Sequence, residues 1–235
     1  MGEGVIGRLK REIRFYRGAI AANAVATSLK SEAAGQIPDA LESAFDRFAQ
    51  RTAVIFEDQI LTYKALDERA NRYAHWALAQ GLKPGDVAAL LMQNRPDYIA
   101  CWYGLSKVGV ETAFLNTNLM GAGLAHCIKI AQAKVVIGDS CLVENLGSLA
   151  GLVDPLPPVW LLLDCGHDYA APTHDLNAAL DAASAERPDR AHRASVKRDD
   201  AALLIYTSGT TGLPKAAKIS HVRGVGALRV FGAAY

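Results

Sequence analysis

Two stretches of this 235-residue chain are apolar throughout a strand's length, Val87-Ala88-Ala89-Leu90-Leu91-Met92 and Ala201-Ala202-Leu203-Leu204-Ile205-Tyr206. Successive side chains of a strand point to opposite faces, so a strand with no polar alternation needs cover on both sides. Helices supply such cover when they alternate with parallel strands, and the spacing here predicts that alternation. Leu66, Ala70, Tyr73, Ala77 and Leu78 fall on one helical face, with a stop at Gly81 and a turn through Lys83-Pro84-Gly85-Asp86 into the first apolar strand. Asn94 is placed to cap a helix beginning near Pro96, where the missing N–H is harmless, and Gly109 to end it before a strand around Val110 to Phe114. Helix Leu124–Ala131, strand Lys134–Ile137 and helix Ser140–Leu149 follow, then strand Val159–Leu163 and a short helix marked by Leu176 and Leu180. Ahead of all these, Leu41, Phe45 and Phe48 mark a short helix, and Ala53–Phe56 with Ile60–Thr62 flank Glu57-Asp58-Gln59 as a hairpin. The expected fold is α/β, a doubly wound, mostly parallel sheet with helices on both faces.

The chain divides into four parts. Residues 1–37 form an amino-terminal segment, 38–185 a first α/β lobe, 186–200 a charged connection and 201–235 the start of a second lobe. In a helix, Val5, Leu9, Ile13, Tyr16 and Ile20 share one face while Arg8, Arg11, Arg14 and Glu12 largely occupy the others. That pattern suits an interfacial helix on an anionic membrane and equally a helix docked on its own domain. The Ala-rich stretch after it imitates a signal peptide but contains Asn23 and hardly any leucine or isoleucine. Glu186 to Asp200 mixes five basic with four acidic side chains and almost no aliphatic ones, which predicts a solvated connection.

A net charge of +1 gives no global electrostatic reason to expect a nucleic-acid partner. No apolar run approaches bilayer length. Cys101, Cys127, Cys141 and Cys165 stand far apart and read as reduced residues of a cytosolic protein. The histidines, at 75, 126, 167, 174, 192 and 221, form no metal-ligand set, and no metal site is assigned to the chain. His126 and Cys127 lie among Leu124, Ile128 and Ala131 and read as packing residues.

The second apolar strand runs directly into Thr207-Ser208-Gly209-Thr210-Thr211-Gly212-Leu213-Pro214-Lys215, where four hydroxyls, two glycines and a lysine occupy nine positions. Glycines let backbone N–H groups turn toward one anion, hydroxyls donate further hydrogen bonds, and the lysine adds a mobile positive charge. Such a loop suits a polyphosphate. A Walker loop delivers its lysine immediately after the second glycine and opens into a helix. Here Leu213 and Pro214 intervene and Ala216–Ser220 reads as a second strand, so the phosphates would lie across a strand–loop–strand turn. A hydrolase elbow is excluded because Tyr206 stands where the first glycine of G-x-S-x-G is needed.

The string from Tyr206 to Lys215 resembles the signature loop of the adenylate-forming (AMP-binding) superfamily, which includes acyl-CoA synthetases, luciferases and peptide-synthetase adenylation domains. Leu61-Thr62-Tyr63, Ala70-Asn71-Arg72 and Gly85-Asp86-Val87 resemble the first lobe of the same superfamily, so that the likeness covers nearly everything from Pro38 onward. Leu91-Met92-Gln93-Asn94-Arg95-Pro96, Asn116-Thr117-Asn118-Leu119, His126-Cys127 and His221 resemble the fatty acid transport protein and very-long-chain acyl-CoA synthetase branch. Met120 stands where that branch is expected to carry an arginine.

The resemblance implies ATP-dependent activation of a fatty acid to acyl-adenylate and then acyl-CoA, with ATP, Mg2+ and CoA as partners of the reaction. Thr207, Ser208, Gly209, Thr210, Thr211 and Gly212 would hold the β- and γ-phosphates, Lys215 would act as the catalytic cation, and His221 would be a substrate-side residue. It also implies that the adenine-binding segment, a magnesium-binding glutamate, a ribose-binding aspartate and a second catalytic lysine lie beyond Tyr235, leaving the amino-terminal part inactive alone. A cytoplasmic location follows, with peripheral contact at the inner face of the membrane through residues 1–30. A non-enzymatic membrane-associated fatty-acid uptake protein and an adenylating enzyme for an aryl or amino acid remain the alternative readings.

Overall fold

The computed structural model describes residues 35–164, 173–207 and 212–234. The basic amphipathic pattern of residues 1–30 lies outside them. The described elements are α1 (Ile37–Arg47), β1 (Thr52–Phe56), β2 (Gln59–Thr62), α2 (Tyr63–Ala79), β3 (Val87–Leu91), α3 (Pro96–Lys107) and β4 (Glu111–Phe114). They continue with α4 (Gly121–Ala131), β5 (Val135–Asp139), α5 (Val143–Gly147), β6 (Val159–Leu162), β7 (Thr173–Asp175) and α6 (Leu176–Ala182). The last are β8 (Ala201–Thr207), β9 (Lys215–Ser220) and α7 (His221–Ala234).

Seven strands form one sheet in the order β7-β6-β5-β3-β4-β8-β9. All neighbours are parallel except β8 and β9. The chain steps from β3 to β4 on one side and then back past β3 to β5, so right-handed crossovers put α3 and α4 on opposite faces. The core records this directly. Ala88 and Leu90 pack with α2 and α3, whereas Ala89 and Leu91 pack with α4 and α5. Both faces of β3 are therefore dry, as its unbroken apolar run requires. β1 and β2 make a separate antiparallel hairpin whose turn is closed by Glu57 at φ +53°.

Thr62 caps α2 through its hydroxyl, which accepts from the Ala65 N–H at 3.1 Å, and Gly81 ends the segment at φ +74°. Helix α3 begins at Pro96 as expected, but its cap position is Arg95 rather than Asn94, and no side chain bonds there. The guanidinium is engaged elsewhere, with Asp139 at 3.3 Å and with Asp164. Helices α2 and α3 approach so closely that a Cβ on Gly104 would sit 2.2 Å from the Ala70 carbonyl oxygen and 2.7 Å from Tyr73 Cβ. Among the described residues no helix is long and apolar enough to cross a membrane.

Segment 186–200 is largely exposed, but its arginines are paired with acids of the first helices. Arg193 is buried and its guanidinium donates to Asp39 (2.9 Å), to both oxygens of Glu42 (3.1 and 3.2 Å) and to the Lys107 carbonyl (3.0 Å). Arg190 reaches Glu42 at 2.6 Å, and Arg187 holds Asp46 and Asp67, each at 2.9 Å. Beneath them the buried Lys107 ammonium donates to Asp67 and Asn71, both at 2.6 Å. Burial pulls the Lys107 pKa down, against the opposing pull of Asp67. The reason for the arrangement is desolvation. Glu42 on α1 and Asp67 on α2 are buried carboxylates, and a buried charge needs a hydrogen-bonded counter-charge. Cysteine also departs in part from expectation: Cys101 and Cys127 are free and buried, but Cys141 is disulfide-bonded. A pairing that the fold creates leaves no mark in linear spacing.

Candidate functional site

Strand β8 enters the sheet beside β4 with Ala202, Leu203 and Leu204 buried, which fixes its direction and depth. It leaves at the carboxyl edge of the parallel strands, where α/β sheets bind ligands. The chain returns along β9 in antiparallel register, with Thr207 opposite Lys215. The nine-residue loop is thus the tip of a hairpin whose mouth is the Thr207–Lys215 pair. Thr207, Gly212, Leu213 and Lys215 are exposed. Gly212 sits at φ +110°, a conformation that residues with a Cβ rarely adopt and that re-aims neighbouring N–H groups. Ser208, Gly209, Thr210 and Thr211 lie outside the described residues.

The hairpin is braced from below by α4. Tyr206 Oη donates to the Cys127 carbonyl at 2.8 Å, and burial pushes the Tyr206 phenol pKa up, so the group stays a donor. His126 Nε2 lies 3.1 Å from the Pro214 carbonyl oxygen. Neighbouring residues of one helix therefore hold both limbs of the hairpin, at Tyr206 just outside the mouth and at Pro214 just inside it. Cys127 packs with a fully buried side chain, its thiol pushed up to about 11 by burial, which leaves it a protonated core residue. Sequence reading placed His126 with it as packing; the structure gives His126 a polar partner on the loop. The only local signal for that role was a histidine off the Leu124–Ile128–Ala131 face.

His221 is not brought to the loop. It follows β9 at the end opposite Lys215, about 20 Å away at strand rise. Its side chain is buried, and Nδ1 accepts the Ile37 N–H at 3.3 Å, so it closes the first turn of α1. Burial lowers its pKa, with Asp200 and Asp39 opposing and Arg193 adding to the fall.

A second cleft of about 490 Å³ lies between α2, α6, the start of α3 and the end of β6, with Arg69, Arg72, Arg95, Asp97 and Asp164 on its walls. Its charges are matched internally. Arg69 reaches Asp97 at 3.1 Å, Arg95 bonds Asp139 and Asp164, and Arg72 donates to the carbonyls of Leu180, Asp181 and Ala183 at 2.8 to 3.3 Å. The cleft thus offers a ligand few free donors. Among the described residues no group of three or more His, Cys, Asp or Glu side chains is placed to hold a metal ion.

A family model described as AMP-binding enzyme matches residues 41–232, spanning the sheet, the loop and most of α7. The chain belongs to the AMP-binding enzyme family. Long-chain fatty acid transport protein 6 of Mus musculus is 38% identical over 195 residues, covering 78% of this chain and 30% of the relative. Medium/long-chain-fatty-acid–CoA ligase FadD6 of Mycobacterium tuberculosis is 33% identical over 190 residues, covering 79% and 29%. Among solved structures, a Mycobacterium tuberculosis fatty acyl CoA synthetase superposes with a TM-score of 0.65 at 26% identity, covering 79% of this chain and 34% of that one. The chain spans about 30% of the length of the curated relatives it matches. Within an AMP-binding enzyme, the glycine- and threonine-rich hairpin and the doubly wound sheet are parts of one adenylate-forming ligase architecture.

Proposed function

We propose that the protein activates a long- or very-long-chain fatty acid, first as acyl-adenylate and then as acyl-CoA, and that this chain carries the pyrophosphate-facing side of the site. In the first step a carboxylate oxygen attacks the α-phosphorus of ATP, the bond to the β-phosphate oxygen breaks, and pyrophosphate leaves. In the second the CoA thiol attacks the acyl carbonyl and AMP leaves. Such chemistry depends on positioning and on charge stabilisation as the leaving group departs. Thr207, Ser208, Thr210 and Thr211 donate hydroxyls to the β- and γ-phosphates, Gly209 and Gly212 let the backbone approach, and Lys215 neutralises the pyrophosphate. Magnesium, carried by the nucleotide's phosphates, supplies further positive charge there.

The observation that supports this reading most is the mouth of the hairpin, where the register sets Thr207 directly opposite Lys215 at the carboxyl edge of the sheet. The names of the fatty acid transport protein and CoA ligase relatives support the acyl class. Residues 1–30 lie at the inner face of the membrane in this reading, on the strength of their basic amphipathic pattern.

The test is Lys215→Ala in the complete protein. Carboxylate-dependent ATP–pyrophosphate exchange drops by about 10²-fold or more, the scale of losing one preorganised charge at a developing anion. Unchanged exchange refutes the assignment, and a substrate panel answered by aryl or amino acids rather than fatty acids replaces its acyl part.

A further inference from the structure

The brace under the loop has a role beyond packing. A carbonyl oxygen can only accept, so at 3.1 Å from the Pro214 oxygen His126 Nε2 carries the proton and donates it. The Pro214 carbonyl and the Lys215 N–H belong to one rigid peptide plane and point in opposite directions across it. Holding the oxygen from α4 therefore sets the tilt of that plane, and with it the direction in which Lys215 leaves the backbone. The other limb is held independently by Tyr206 on the Cys127 carbonyl at 2.8 Å. Helix α4 is itself fixed, since Leu124, Cys127, Ile128 and Ala131 are buried against the sheet. His126 is only partly buried, so its side chain is not needed to fill the core.

We infer that His126 is a positioning residue for the adenylation step, holding the Pro214–Lys215 peptide so that Lys215 meets the departing pyrophosphate. This rests on the ligase reading given above. A loop left to find that orientation at each turnover reaches it less often, and the loss falls on the chemical step rather than on folding. Glutamine is the conservative replacement, because its amide nitrogen stands at a reach comparable to Nε2 and donates an N–H. Phenylalanine keeps a ring of similar shape with no donor.

The experiment measures carboxylate-dependent ATP–pyrophosphate exchange and thermal unfolding in the complete protein for His126→Phe, His126→Gln, Lys215→Ala and the double variant His126→Phe/Lys215→Ala. His126→Phe lowers the maximal exchange rate about five- to tenfold, the factor one net hydrogen bond represents, and changes the Michaelis constant for ATP less. His126→Gln restores most of the rate. In the Lys215→Ala background His126→Phe has no further effect, because the group it positions is gone. Thermal midpoints of the two His126 variants agree. If Lys215→Ala is impaired but His126→Phe exchanges like the parent, or if the two losses multiply, the positioning role is refuted and the ligase reading stands. If the parent shows no exchange, or Lys215→Ala is unimpaired, both fall together.

Discussion

Replacing Arg193 by methionine tests whether the buried ion network ties segment 186–200 to the first helices. The arginine side chain is 3% exposed and Glu42, its main partner, is fully enclosed. The substitution deletes the guanidinium's bonds to Glu42, Asp39 and the Lys107 carbonyl. Asp39 is 39% exposed and recovers water, so little is lost there. Glu42 keeps Arg190, which bonds Oε2 at 3.0 and 2.6 Å, but Oε1 is left in a dry pocket without its counter-charge. Breaking one side of a buried pair costs about 3–5 kcal/mol, and the surviving Arg190 bond argues for the lower end. The Lys107 carbonyl adds about 1 kcal/mol if no other donor replaces the guanidinium, and the methionine stem returns a similar amount in packing. The net expectation is about 3 kcal/mol. With a urea slope of about 2–3 kcal/mol/M, the unfolding midpoint falls by about 1–1.5 M. Urea titration followed by tryptophan fluorescence and circular dichroism reads this directly. Adding Glu42→Gln should recover more than about 1 kcal/mol of the loss, since the enclosed charge is then absent. A single-variant cost below about 1 kcal/mol, or strict additivity of the two substitutions, refutes the claim that the pair is desolvated and coupled.

Two further outcomes follow from the packing. Gly104→Ala drives a methyl group to 2.2 Å from the Ala70 carbonyl oxygen, so α2 and α3 must separate. The cost is about 3 kcal/mol or more despite alanine's better helix propensity, and an unchanged urea midpoint contradicts it. His221 has a folded-state pKa below its ordinary 6.5, so on acidification the unfolded chain takes up that proton first. Stability is fully present above about pH 6.5 and declines as pH falls toward the lowered folded value, by at most about 1.4 kcal/mol per pH unit. His221→Gln flattens that part of the curve; an identical slope in the variant means the ring does not titrate as described.

The sheet was readable in the chain because its causes are local. An unbroken apolar run at Val87–Met92 requires cover on both faces, and Pro96, Gly81 and Gly109 punctuate the helices wherever the chain is cut. Helix α3 starts where Pro96 places it, while its cap differs because Arg95 is recruited by acids from β5 and the β6 end. The ion pairs of segment 186–200 are hidden from the sequence for the same reason on a larger scale. A window of five basic and four acidic residues looks wet until Glu42 and Asp67, more than a hundred positions earlier, are found buried beneath it. The site divides similarly. The loop's glycines, hydroxyls and lysine stand together in the sequence, but what holds it is 79 and 88 residues away, in bonds from Tyr206 to Cys127 and from His126 to Pro214. His221 follows the loop's second strand in sequence, yet β9 carries it to the end opposite Lys215.

The strand order has a consequence for synthesis. Strand β4 is complete at Phe114, yet the neighbour that covers its outer edge, β8, begins only at Ala201. At about 5–20 residues per second the ribosome takes roughly 4 to 17 s to deliver it. Throughout that interval the backbone of Glu111–Phe114 is an open template beside a dry core, and a nascent chain halted before Ala201 keeps it so. The β8–β9 hairpin is therefore also the piece that seals the open edge of the first lobe.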